Sequence, residues 1–150
     1  MEVFRISSEQ YSHRLTSSGS ENRWNKRGQF VIYTGWQRSL SSLELVVHRK
    51  SIIPSLNYKV MVIHFPDDDS LVKQIYLRDL PINWRTMSAY RVLQDIGSTW
   101  YNNQESLILK VPSAVIPWEH NYIFNFKHPD FISKISLVNT ENYFWDGRLF

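Results

Sequence analysis

The chain has 150 residues, a length that builds one domain rather than two, and this excludes a two-domain enzyme. With 43% hydrophobic and 21% charged residues it has enough apolar surface to bury, which excludes a disordered tail. A formal charge of +3 without a basic run leaves nucleic acid open as a partner but does not imply it, and the absence of cysteine excludes disulfides, thiol catalysis and Cys-ligated metal sites.

The amino terminus reads Met1-Glu2-Val3-Phe4-Arg5-Ile6-Ser7, with two charges among the first five residues and no apolar segment of signal-peptide length. Apolar runs such as Val60-Met61-Val62-Ile63 fall far short of the roughly 18 residues that a membrane helix needs. A soluble, cytoplasmic domain spanning residues 1–150, with no membrane contact, is expected.

In chain order, a short strand is expected over residues 3–6, followed by the polar loop Thr16-Ser17-Ser18-Gly19-Ser20-Glu21-Asn22, which delivers Arg23-Trp24-Asn25. Gly28 marks a turn before Phe30-Val31-Ile32-Tyr33-Thr34, whose aromatic and β-branched residues predict a strand. Ser41-x-x-Glu44 fits a capping box, with Leu40 and Leu45 at the staple positions. A helix is therefore predicted from Ser41 to about Arg49, with Leu43, Val46 and Val47 as its apolar stripe.

Residues 58–65 read as a strand, and Asp67-Asp68-Asp69 as the solvated turn after it. Adjacent carboxylates point in different directions, and no calcium-loop spacing follows them. Ala89, Val92, Leu93 and Ile96 recur at i, i+3, i+4 and i+7, predicting an amphipathic helix from about Ser88 that ends near Gly97, with Trp100 in the loop beyond. The last third returns to strands at residues 107–111, 122–126, 135–138 and 143–145. The class is α+β, mainly β with a few helices.

The chain has no phosphate-cradling Gly-rich loop, no H-E-x-x-H and no G-x-S-x-G. His13, His48, His64, His120 and His128 supply no i,i+3 or i,i+4 pair on an expected helix, so they read as surface or structural groups and no metal site is expected. Trp36, Trp84, Trp100, Trp118 and Trp145 read as core or interface aromatics. By its residues alone, Glu44 is either the closing member of a helix cap or a functional carboxylate.

A series of short motifs does stand out. It runs from Phe4-Arg5-Ile6 through Arg23-Trp24-Asn25-x-x-Gly28, Val31-x-Tyr33-Thr34 and Ser39-Leu40 with Glu44. It continues with Val111-Pro112-Ser113-Ala114-Val115 and Asn121-Tyr122-x-x-Asn125-x-x-His128-Pro129-Asp130, and closes with Phe144-x-Asp146-x-Arg148-Leu149. In this order the motifs resemble the RES domain, named for its Arg, Glu and Ser, over essentially the whole chain.

The resemblance implies an ADP-ribosyltransferase-like fold and the toxin of a bacterial toxin–antitoxin pair that consumes NAD⁺ as a substrate, with no cofactor. Its partner would be an Xre-type helix-turn-helix antitoxin, with DNA reached only through that antitoxin, and a homodimer is one assembly open to it. Water as acceptor would make the enzyme an NAD⁺ glycohydrolase, inorganic phosphate an NAD⁺ phosphorylase, and a protein an ADP-ribosyltransferase. A non-catalytic protein- or nucleic-acid-binding module is the rival reading.

Carried over residue by residue, the resemblance makes Arg23, Tyr33 and Glu44 the catalytic positions. Cleaving the nicotinamide–ribose bond leaves an oxocarbenium-like ribose, which a carboxylate such as Glu44 can stabilise. Arg23 suits the pyrophosphate because a guanidinium grips it bidentately, with Arg5 as a second contact and Arg27 at the surface. Tyr33 would offer its ring to the cationic nicotinamide, and the Ser113 hydroxyl would bind a phosphate, ribose or amide oxygen. Asn121 and Asn125 would order the backbone around the pocket. One departure is Asn22, which stands where the family often has glycine and bears on backbone freedom beside Arg23.

Overall fold

The computed structural model of the chain describes residues 1–48, 57–144 and 146–149. Its strands are β1 (Glu2–Ser8), β2 (Val31–Gly35), β3 (Tyr58–His64), β4 (Val72–Gln74), β5 (Ile108–Pro112), β6 (His120–Asn125) and β7 (Ser136–Tyr143). Its helices are α1 (Arg38–Val47), α2 (Tyr90–Asn102) and the single turn α3 (Phe131–Lys134). The strands form one sheet in the order β4-β5-β6-β2-β1-β3-β7. Only the β4–β5 pair, at the edge, runs parallel among the described strands.

The central strands are apolar at successive residues because both faces of the sheet are covered. Ile32, Ile108 and Phe124 join Val3, Met61, Ile63, Phe65 and Phe131 in one core. Their neighbours Val31, Leu109, Val111 and Ile123 turn the other way and meet Trp24, Trp84, Leu93 and Trp100 in a second. The sheet therefore separates two cores, with α2 closing the second. Outer strand β7 is wetter and alternates against solvent.

Three expectations change. α1 begins at Arg38, with Gln37 as its N-cap and no side-chain cap bond, so Ser41 and Glu44 lie inside the helix and form no capping box. The reason is tertiary: Ser41 Oγ donates to Phe4 O at 2.9 Å, which draws the helix onto β1. This approach requires Gly35, because a Cβ there would meet Ser41 Oγ at 2.5 Å. The helix reaches its C-cap at His48, and Arg49 lies outside the described residues.

The second change is in α2, which runs through Gly97 to Asn102. Gly97 is a point of contact rather than a cap, since a Cβ there would sit 1.7 Å from Trp24 O. Trp100 consequently falls within the helix, 1% exposed, with Nε1 donating to Ser106 Oγ at 2.9 Å. The third change is that residues 136–138 and 143 belong to one strand, β7, rather than two, while Ile135 caps α3; Trp145 lies outside the described residues.

Asp67, Asp68 and Asp69 are exposed, and Asp68 Oδ1 accepts from both Ser70 N and Ser70 Oγ at the head of the 3-10 helix Asp69–Leu71. Among the described residues no helix is long and apolar enough to cross a membrane.

Candidate active site

The route to a site starts at Glu44. Ser41 and Glu44 are three residues apart and so share a helix face, and with Ser41 bonded to β1 that face is turned to the sheet. Glu44 thereby reaches the β5–β6 hairpin. Its Oε1 accepts from Ser113 Oγ at 2.8 Å and from Asn121 Nδ2 at 2.8 Å, while Oε2 carries no hydrogen bond among the described residues. One oxygen of the carboxylate is thus fixed by the hairpin and the other is not.

Ser113 lies just past β5 and is fully buried. Its Oγ accepts from Val115 N and Ile116 N, both at 3.1 Å, while donating to Glu44. The hydroxyl thus has its proton and both lone pairs engaged. Asn121 sits on β6 opposite Val111 of β5 and Gly35 of β2, and its Oδ1 is buried without a partner.

Tyr33 projects from β2 toward the loop that carries Arg23. Its Oη donates to Asn25 Oδ1 at 2.7 Å and accepts from Trp24 N at 3.1 Å. Burial is the main cause that pushes the phenol pKa far above its ordinary value, so Tyr33 stays neutral. Asn25 completes the loop by donating to Ser20 O, Lys26 O and Gln29 O. Gly19 and Gly28 take the positive φ values of 74° and 84° at its turns.

Within that loop Asn22 Oδ1 accepts from Arg23 N at 2.8 Å, and residue 22 is not among those with positive φ. The departure from glycine is therefore accommodated without strain. Arg23 Nη1 donates to Trp84 O at 3.1 Å, and its guanidinium lies 4.8 Å over the Tyr90 ring. Lys26 pairs with Asp95 at 2.7 Å and Arg27 with Glu21 at 3.7 Å, both at the surface.

Two cavities meet along this line of residues. The smaller, about 390 Å³, is bounded by Arg5, Thr34, Gly35, Ser41 and Leu45. The larger, about 500 Å³, is bounded by Arg23, Val47, Arg85, Met87, Tyr90 and Val115. Asn22, Tyr33, Glu44, His48 and Asn121 line both. Arg5 donates from Nη1 to Thr16 O at 3.2 Å, and burial lowers its pKa, though a guanidinium remains charged throughout the working range.

Arg5, Arg23, Tyr33 and Glu44 therefore converge on one cleft, and Ser113 supports it from behind Glu44. Four further cavity residues were not placed in the site by the sequence: Val47 was read as part of the helix's apolar stripe, His48 as a surface or structural group, and Arg85 and Tyr90 had no assignment. His48 follows Glu44 by one helical turn, a spacing visible in the sequence, but Arg85 has no sequence signal. Among the described residues no group of three or more His, Asp or Glu is placed to hold a metal.

These features describe a class: a mixed α+β domain whose sheet and one helix hold a carboxylate between two basic cavities. The model of the RES domain matches residues 2–146, and the chain belongs to that family. It is 32% identical to the "Toxin Res" of Yersinia enterocolitica, with 99% of each chain covered. It is 36% identical to the "Prs ADP-ribosylating toxin" of a Sphingobium species, covering 90% of this chain and 86% of that one. In fold it is similar to the crystal structure of the M. tuberculosis MbcT–MbcA toxin–antitoxin complex. The TM-score is 0.76 at 14% identity, over 95% of this chain and 83% of that one.

Proposed function

We propose that this protein is the toxin of a toxin–antitoxin pair and that it cleaves the nicotinamide–ribose bond of NAD⁺. The observation that carries the reading is the held carboxylate: Glu44 is tethered through Oε1 and sits where the two cavities join, with the Tyr33 ring also at the junction. NAD⁺ is itself two-lobed, and the bond to be broken lies between its nicotinamide and the rest of the molecule. A fixed anion at that bond stabilises the ribose as positive charge develops.

In this reading the C–N bond breaks and its electron pair leaves with neutral nicotinamide. The ribosyl cation is captured by water, giving ADP-ribose and a proton, or by inorganic phosphate, giving the 1″-phosphate. Tyr33 offers its ring face to the cationic nicotinamide. Arg23 holds phosphate oxygens, Arg5 is a second substrate contact from the smaller cavity, and Ser113 and Asn121 keep Glu44 in place. NAD⁺ is the substrate, and the reaction so written needs no metal and no cofactor.

A protein acceptor is the second reading, favoured by the relative named an ADP-ribosylating toxin. The partner that restrains the activity is an Xre-type antitoxin, through which any DNA binding runs. The test is nicotinamide release from NAD⁺ by purified protein, with products separated by chromatography in the presence and absence of phosphate. ADP-ribose or its 1″-phosphate would name the acceptor. No release from folded protein, with or without a protein acceptor, would overturn the reading in favour of a binding module.

A further inference from the structure

We infer that Arg85 joins Arg23 in a two-guanidinium clamp that seats the diphosphate of the substrate in the larger cavity. The inference rests on the reading of the cleft as a dinucleotide site and specifies which lobe takes the phosphates. Both side chains line that cavity, and both are anchored by main-chain carbonyls. Arg23 Nη1 donates to Trp84 O at 3.1 Å, and Arg85 Nε donates to Ala114 O at 2.8 Å. The carbonyl that holds Arg23 belongs to the residue immediately before Arg85, so the two guanidiniums are tied to one short piece of chain.

Each anchor uses a single donor of the five on a guanidinium and leaves the others for a ligand. Neither arginine takes part in an ion pair among the described residues. Among the described residues Glu44 is the one acid that lines the cavity, and it forms an ion pair with neither arginine. An anion seated between the two guanidiniums is attracted by both. Diphosphate fits best, because two adjacent phosphate groups can each receive a bidentate fork. Val47, Met87 and Tyr90 line the same cavity and supply apolar surface for the attached nucleoside.

Calorimetric titration of the purified chain with ADP-ribose, ADP and adenosine tests the clamp directly, without relying on turnover. Arg85→Ala is expected to weaken ADP-ribose and ADP by about tenfold or more, the value of a charge-assisted hydrogen bond, and to leave adenosine unchanged. Arg85→Lys should recover only part, since an ammonium lacks the fork. Because Arg85 is exposed, its replacement should spare the fold, which circular dichroism checks. Unchanged ADP-ribose binding in Arg85→Ala, or equal losses for all three ligands, would overturn the clamp. Tight ADP-ribose binding that depends on Arg85, with no nicotinamide release, would overturn NAD⁺ cleavage and leave the clamp standing. Nicotinamide release by a wild-type chain that binds neither ADP-ribose nor ADP would do the reverse.

Discussion

Gly97 of α2 lies so close to the main chain of Trp24 that a single added methyl carbon would stand 1.7 Å from the Trp24 carbonyl oxygen. Backbone meets backbone here, and the helix acts as the floor for the loop that presents Arg23. Trp24 is 3% exposed and packs with Leu93 and Trp100, so the loop is seated in the second core rather than free at the surface.

Gly97→Ala should therefore force helix and loop apart. Overpacking typically costs about 1–3 kcal/mol, and a clash with backbone belongs at the upper end. Denaturant titration should show a loss of about 3 kcal/mol, and nicotinamide release should fall further than the unfolded fraction explains. Stability within about 0.5 kcal/mol of wild type would show that α2 does not brace the Arg23 loop.

Glu44→Gln keeps the size of the side chain and removes the charge. Loss of a preorganised electrostatic group typically lowers turnover by about 100- to 1000-fold. That loss is expected here with the thermal midpoint nearly unchanged, because Gln can still accept from Ser113 and Asn121 through its amide oxygen. Turnover within threefold of wild type would remove Glu44 from the chemistry.

Asn121→Asp places a second carboxylate at the 2.8 Å contact with Glu44. Two carboxylates at that distance share a proton, and the pair takes it up at higher pH than a single carboxylate does. Activity that needs ionised Glu44 should then be lost at higher pH as the solution is acidified, moving the acid limb of the rate profile up by about one unit or more. An unmoved acid limb would mean that the contact does not govern the protonation of Glu44.

Tyr33→Phe removes the hydroxyl that joins Asn25 Oδ1 to Trp24 N, leaving a buried acceptor and donor unpaired at a cost of about 1–3 kcal/mol. The pH dependence gives a second readout. Burial raises the phenol pKa above 10.0, so above that pH the unfolded chain releases a proton that the folded chain keeps. The contribution is complete below 10.0 and is lost as pH rises from there toward the folded value. Wild-type stability should fall more steeply than that of Tyr33→Phe above this point, by about 1.4 kcal/mol per pH unit. Parallel curves would contradict the burial of the phenol.

Much of the architecture was legible in local chemistry. The β-branched and aromatic runs that became β2, β3, β5 and β6 are apolar on both faces, and this signal survives without knowledge of the neighbours. The period of Ala89, Val92, Leu93 and Ile96 placed α2, although its end was misread because glycine in a sequence looks the same at a cap and at a close contact. β4 left no sequence signal, since Val72-Lys73-Gln74 is a three-residue strand held by parallel pairing to β5.

The site divides in the same way. Arg23, Tyr33, Glu44 and Ser113 stood out in the sequence through the order of their motifs, which marks residue types but not what each touches. The tertiary structure decided that Glu44 is no cap: Ser41 found its acceptor on β1, and Glu44 bonded residues 69 and 77 positions away. It also decided that the Ser113 hydroxyl is spent on Glu44 and two main-chain amides, and that Arg85 faces the same cavity as Arg23. Propensity and periodicity act over a few residues, and so they specify strands and helices. A hydrogen bond or a cavity wall depends on which distant residues the sheet order brings together, and only the folded chain contains that information.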